Sequence, residues 1–119
     1  MKSKGVFVTN FCDFVRDFVA PQDIFDLICL IIKAKPFNDA IDVYSSKPIR
    51  KFKLLDYFVK NYFLRYTIKR GLKFICPTGV KSRYYSSSKK AAGLGYKPKF
   101  SSIKAVAMEA SYMLDVVNK

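Results

Sequence analysis

Arg16-Asp17-Phe18-Val19-Ala20-Pro21-Gln22-Asp23-Ile24 is the stretch on which the fold turns. Phe18-Val19-Ala20 is a short apolar segment that Pro21 stops. A proline is well tolerated in the first turn of a helix, and the helix dipole favours acids there, so Pro21, Asp23 and Asp26 together predict a helix start. The helix runs through Ile24, Phe25, Leu27, Ile28, Leu30, Ile31 and Ile32 to Lys33 and Lys35, and Pro36 ends it. It is apolar on almost every side, which places it deep in a core or beneath another lobe.

Downstream, Ala40-Ile41-Asp42-Val43-Tyr44 reads as a short strand and Ser45-Ser46-Lys47-Pro48 as a turn. Phe52, Leu55, Phe58, Val59, Tyr62 and Phe63 recur at helical spacing, leaving Arg50, Lys51, Lys53 and Lys60 for the remaining surface. Arg65 to Lys69 alternates like a strand, and Gly71 to Ser82 is loop. Ser86-Ser87-Ser88 can cap a short helix through Ala91 and Ala92 that Gly93 and Gly95 close. Ser101 or Ser102 caps a last helix with the stripe Ile103, Val106, Ala107, Ala110, Met113, Leu114 and Val117. Three short strands and about four helices make a small α/β unit.

The 119 residues bound the chain at one domain, and half of them are hydrophobic. The longest apolar run, Leu27 to Ile32, falls far short of the ~18 to 20 residues of a membrane span, so none is expected. No histidine is present and the three cysteines are widely spaced, which removes the usual zinc sites, disulfide frameworks and histidine-based nucleophile systems. The cysteine usage points to a reduced, cytoplasmic setting. The net charge of +13 is unevenly placed. Residues 1–42 carry five Lys/Arg against six Asp, whereas residues 43–119 carry seventeen against three acids. Such a field draws polyanions or phosphorylated small molecules, or is simply a solvated basic surface.

Three segments in order resemble the C-terminal half of the extended short-chain dehydrogenase/reductase family, the NAD-dependent nucleotide-sugar epimerases and dehydratases. Residues 16–24 are similar to its Arg-Asp-aromatic-aliphatic segment, followed by Asp-aliphatic at a helix start. Ile41-Asp42-Val43-Tyr44-Ser45-Ser46-Lys47-Pro48-Ile49 is similar to its strand, small-residue turn and helix start. Ser88-Lys89 followed by Leu94-Gly95-Tyr96-Lys97-Pro98-Lys99-Phe100-Ser101 is similar to its closing Ser-Lys and Leu-Gly-aromatic-x-Pro signature. Locally, Leu94-Gly95-Tyr96 is also an ordinary helix stop.

The resemblance implies an α/β substrate-binding lobe over residues 14–119, without the Rossmann lobe, and an N-terminal remnant or leader over 1–13. It implies that Arg16 reaches the pyrophosphate of a nucleotide-sugar, which suits a rigid guanidinium fork. Read on residues alone, Arg16 bridges to a neighbouring acid, Asp13 or Asp17. Where many members carry Arg-Pro-Gly-Asp, this chain has Cys76-Pro77-Thr78-Gly79, so Lys81 or Arg83 is expected to supply the positive charge, and Ser86 stands at a position usually held by Asp. The five glycines form no dinucleotide-binding turn, so no cofactor is expected on this chain, although a complete member takes NAD or NADP. Tyr85 to Lys89 matches Tyr-x-x-x-Lys but falls in the wrong segment, and no catalytic residue is assigned. The expected partners are a nucleotide-sugar and either a separate cofactor-binding lobe or a second copy, with no specific nucleic acid. The alternative readings are a small basic nucleic-acid-binding module and a non-functional remnant.

Overall fold

A computed structural model describes residues 5–72 and 81–117. The chain is a small α/β domain whose order is β1 (Phe7–Thr9), β2 (Val15–Arg16), α1 (Pro21–Lys33), β3 (Ile49–Arg50), α2 (Lys51–Tyr62), β4 (Tyr66–Ile68), β5 (Arg83–Tyr84), a 3-10 helix (Lys90–Leu94) and α3 (Ser102–Val117). Among the described residues the strands are five instead of three, and two or three residues long. β1 pairs in parallel with β4, Val8 opposite Thr67, so part of the N-terminal remnant or leader forms a strand. The other sheet has the order β3-β2-β5, with β3 antiparallel and β5 parallel to β2.

The starts of α1 and α2 have identifiable partners, whereas the 3-10 helix starts after Lys89 with no side-chain cap from Ser86–Ser88. Pro21 opens α1, and the Ala20 carbonyl accepts the N–H groups of Asp23 and Ile24. Lys51 starts α2 by donating its N–H to Phe14, while the Asp13 carboxylate accepts the next one, from Phe52, at 3.1 Å. The α2 helix stops at Phe63, which adopts φ 55° and is 87 % exposed, so it leaves the apolar stripe proposed for it. Gly95 ends the 3-10 helix at φ 89°, the left-handed conformation that glycine takes at least cost, as expected from the sequence. Ala40–Tyr44 is not a strand. At its end the polar groups go to side chains and another segment: Tyr96 donates to the Tyr44 carbonyl at 2.6 Å, Ser45 N–H to Asp17 and Ser46 N–H to Phe100.

The core is small. Leu27, Tyr44, Ala91 and Tyr96 form its centre, with Leu30, Ile31, Ile41 and Val43 packed around them, and Tyr44 meets Tyr96 edge to face at 5.2 Å. Helix α1 therefore buries only one side. Ile24, Phe25, Ile28 and Ile32 lie on its other side, 41 to 76 % exposed. The radius of gyration is 17.3 Å, against about 13.5 Å for a compact chain of this length. An incompletely covered apolar helix and a flattened outline of 52 × 39 × 21 Å have the same origin: the chain has too little core to wrap.

Candidate functional site

The segments 16–24, 41–49 and 88–101, with Ser102 just after the last, meet in one largely buried polar knot. Asp17 accepts the Ser45 N–H at 3.1 Å and the Ser102 hydroxyl at 2.9 Å. The Ser102 oxygen in turn accepts the Phe18 N–H at 2.9 Å and lies 3.1 Å from the Ser45 hydroxyl. Asp23, fully buried, accepts the N–H groups of Lys99 at 2.9 Å and Phe100 at 3.2 Å. Ser86, two residues before the third segment, donates to Asp42 in the second. A buried carboxylate is tolerated when several donors satisfy it, and among the described residues no buried side-chain polar atom lacks a partner. Tyr96, whose hydroxyl is enclosed beside Asp23, Tyr44 and Asp17, is pushed up to about 12, mainly by burial.

These roles differ from those assigned from sequence. Asp23 sits in the first turn of α1, but its carboxylate holds a loop 76 residues away. Ser102 directs its hydroxyl to Asp17 and not to its own helix. The sequence signal for the knot was available: two aspartates and two serines flank the apolar residues of all three segments, where solvent is not available to satisfy them.

The knot leaves the Arg16 face open. Arg16 is half-buried on β2, donates from Nη1 to the Val15 carbonyl at 2.8 Å, and lies 4.4 Å from the Phe14 ring centre and 6.0 Å from that of Tyr84. Neither flanking aspartate pairs with it. Asp13 is taken by Arg50 and the Phe52 N–H, Asp17 by the two serines. The ion pairs among the described residues are Arg50–Asp13, Lys90–Asp39 and Lys99–Asp26, so the reading of Arg16 as an ion-pair partner is not what the structure has. Lys81 approaches the same Tyr84 ring, its ammonium 4.7 Å from it. Arg83 stands apart from Arg16. Register sets Arg16 beside Tyr84 and Ile49, and Val15 beside Arg83 and Arg50, and side chains alternate along a strand. Arg83 thus falls on the opposite face of the sheet.

Beside Arg16 an apolar cup of about 440 Å³ opens between β1, β2 and α2, lined by Phe7, Phe14, Phe18, Ile49 and Leu54 among others. Lys51 stands on its wall, only 8 % exposed, donating to the Asn10 carbonyl at 2.7 Å and the Asn10 side-chain oxygen at 2.9 Å. Burial holds its ammonium below the usual lysine range, with Cys12 and Asp13 opposing. The sequence reading put Lys51 on the solvated side of α2, yet it lies four residues before buried Leu55 and so on the same side of the helix. Arg16, beside this apolar, aromatic cup, can hold an anion joined to a ring.

Residues 85–89 are not helical, so Tyr85 and Lys89 do not share a helix face, and the Lys89 ammonium lies 3.7 Å from the Tyr44 ring centre. Among the described residues no three His, Cys, Asp or Glu side chains are grouped to hold a metal ion. No described helix is long and apolar enough to cross a membrane. Cys76-Pro77-Thr78-Gly79 lies outside the described residues. No family model matches the chain, and no curated protein or solved structure matches it either.

Proposed function

We propose that this chain is the nucleotide-sugar-binding lobe of an NAD-dependent epimerase/dehydratase of the extended short-chain dehydrogenase/reductase family, working in a reduced cytoplasmic setting. The observation that carries the reading is the guanidinium of Arg16, which has no carboxylate partner among the described residues although aspartates stand at positions 13 and 17. Its support is the knot that ties the three resembling segments together around that strand. Arginine presents five N–H donors, and one goes to a backbone carbonyl, so the fork retains donors for a pyrophosphate. Lys81 adds a point charge and Tyr84 a ring face for the sugar or base. Arg83, on the other sheet face, takes no part in this site.

Hydride abstraction and return need a nicotinamide, and no segment of this sequence has the glycine-rich turn that seats one. The lobe therefore binds and orients the substrate, and a cofactor lobe from elsewhere supplies the chemistry. The exposed side of α1 is the surface such a lobe would cover. The test is amide chemical-shift mapping with UDP, CDP and GDP. Perturbations centred on residues 14–18 and 81–84 are expected with at least one of them. Saturating ligand that leaves both strands unmoved sinks the reading.

A further inference from the structure

The opposite face of the sheet opens onto a second, basic groove that the nucleotide-sugar reading does not use. Lys53, Asp56, Tyr57, Lys60 and Asn61 are linked by three- and four-residue steps (53/57, 56/60, 57/61) along one side of α2. They line an open groove of about 630 Å³ together with Val15, Ser101 and Ile103. Lys47 and Arg50 line it too. Register then brings Arg83 to the far side of Val15 from Arg50, which extends the row of cations across the sheet. Against Lys47, Arg50, Lys53 and Lys60 the groove holds one acid, Asp56. Among the described residues Lys47, Lys53 and Lys60 make no ion pair, and the Arg50–Asp13 contact is long, at 3.5 Å, and exposed.

We infer that this groove binds the phosphodiester backbone of a single-stranded nucleic acid without reading its sequence. The spacing of the cations decides the ligand class. Lys53 and Lys60 are separated by two helical turns, about 10 Å, which matches roughly three phosphates of a stacked strand at one charge per ~3.4 Å. A nucleoside diphosphate needs cations converging on one point, whereas these are strung out along α2. Tyr57 offers a ring for a base to stack on and Asn61 an amide, a combination suited to a strand with unpaired bases and not to an acidic peptide. The seventeen Lys/Arg of residues 43–119 add a field that speeds encounter.

The test is fluorescence anisotropy of a labelled uridine 12-mer with the full chain between about 50 and 200 mM salt. About three neutralised phosphates give a slope of log K on log salt near −2. Lys53→Glu with Lys60→Glu should weaken binding more than about tenfold at 100 mM salt and flatten the slope to about −1 or less. Lys53→Gln with Lys60→Gln serves as the milder pair should the charge reversal disturb folding, and it should lose at least threefold. Lys33→Glu with Lys35→Glu, equal in charge and remote from the groove, should change affinity less than threefold. Equal losses from the two charge-reversed pairs would mean a diffuse basic surface and overturn the inference. Competition by poly-glutamate or UDP as effective as by unlabelled RNA would also overturn it.

Discussion

Asp23→Ala removes the acceptor that joins α1 to the segment Lys99–Phe100, and its cost can be worked from the geometry. The carboxylate is fully buried and accepts two backbone N–H groups, at 2.9 and 3.2 Å. A hydrogen bond to a charged group is worth about 1.5–3 kcal/mol, and two that share one carboxylate are not fully additive. The expected loss is therefore about 3–5 kcal/mol, out of the ~5–15 kcal/mol typical of a domain. Asp23→Asn keeps the shape and one acceptor oxygen but turns an NH₂ toward a donor, so it should lose about half or more of the same amount. Urea denaturation followed by circular dichroism gives the loss, and hydrogen exchange locates it at the Lys99 and Phe100 amides. A loss below about 1 kcal/mol in Asp23→Ala, with those amides still protected, would refute the idea that Asp23 holds the fold together.

Tyr96→Phe leaves the buried Tyr44 carbonyl without its donor and should cost about 1–3 kcal/mol by denaturation. Because burial lifts the Tyr96 hydroxyl from 10.0 to about 12, its contribution is complete below pH 10 and is lost as pH rises toward 12. Phenolate absorbance should show that late-titrating group in the parent and not in the variant. Phe63→Gly relieves a left-handed residue that exposes its side chain, so stability should rise by about 0.5–1 kcal/mol in urea. Ile28→Ser, on the bare side of α1, should raise the soluble yield and reduce association in light scattering, while Leu27→Ser, in the core, should unfold the chain.

The three α-helices were legible because each carries a hydrophobic period, and the strand Tyr66–Ile68 because Arg65–Lys69 alternates. The other strands were not. Val15–Arg16, Ile49–Arg50 and Arg83–Tyr84 are two residues each, too short for alternation to register, and they exist only because distant strands pair. Ala40–Tyr44 shows the converse, a β-like pattern whose neighbouring polar groups find aspartate and tyrosine side chains in place of a strand. Arg16 and Lys81 both approach the Tyr84 ring, but a two-residue register places Arg83 on the face away from Arg16, and no sequence period fixes such a register. Lys51 was misassigned because its charge argued for solvent while its position four before Leu55 argued for burial. Asp17 and Ser102 were visible as residues but not as partners, since 85 positions separate them.

Calorimetric titration of UDP-, CDP- and GDP-sugars into the parent chain, Arg16→Ala and Arg16→Lys tests the account at its centre. The parent should bind at least one of them. Arg16→Ala should bind it about 10- to 100-fold more weakly, the value of one charge-assisted contact. Arg16→Lys should recover part of that loss, because a lysine restores the charge but not the fork. Equal binding by all three proteins, or none by the parent at millimolar ligand while it remains folded, would contradict the reading of this chain as a nucleotide-sugar-binding lobe.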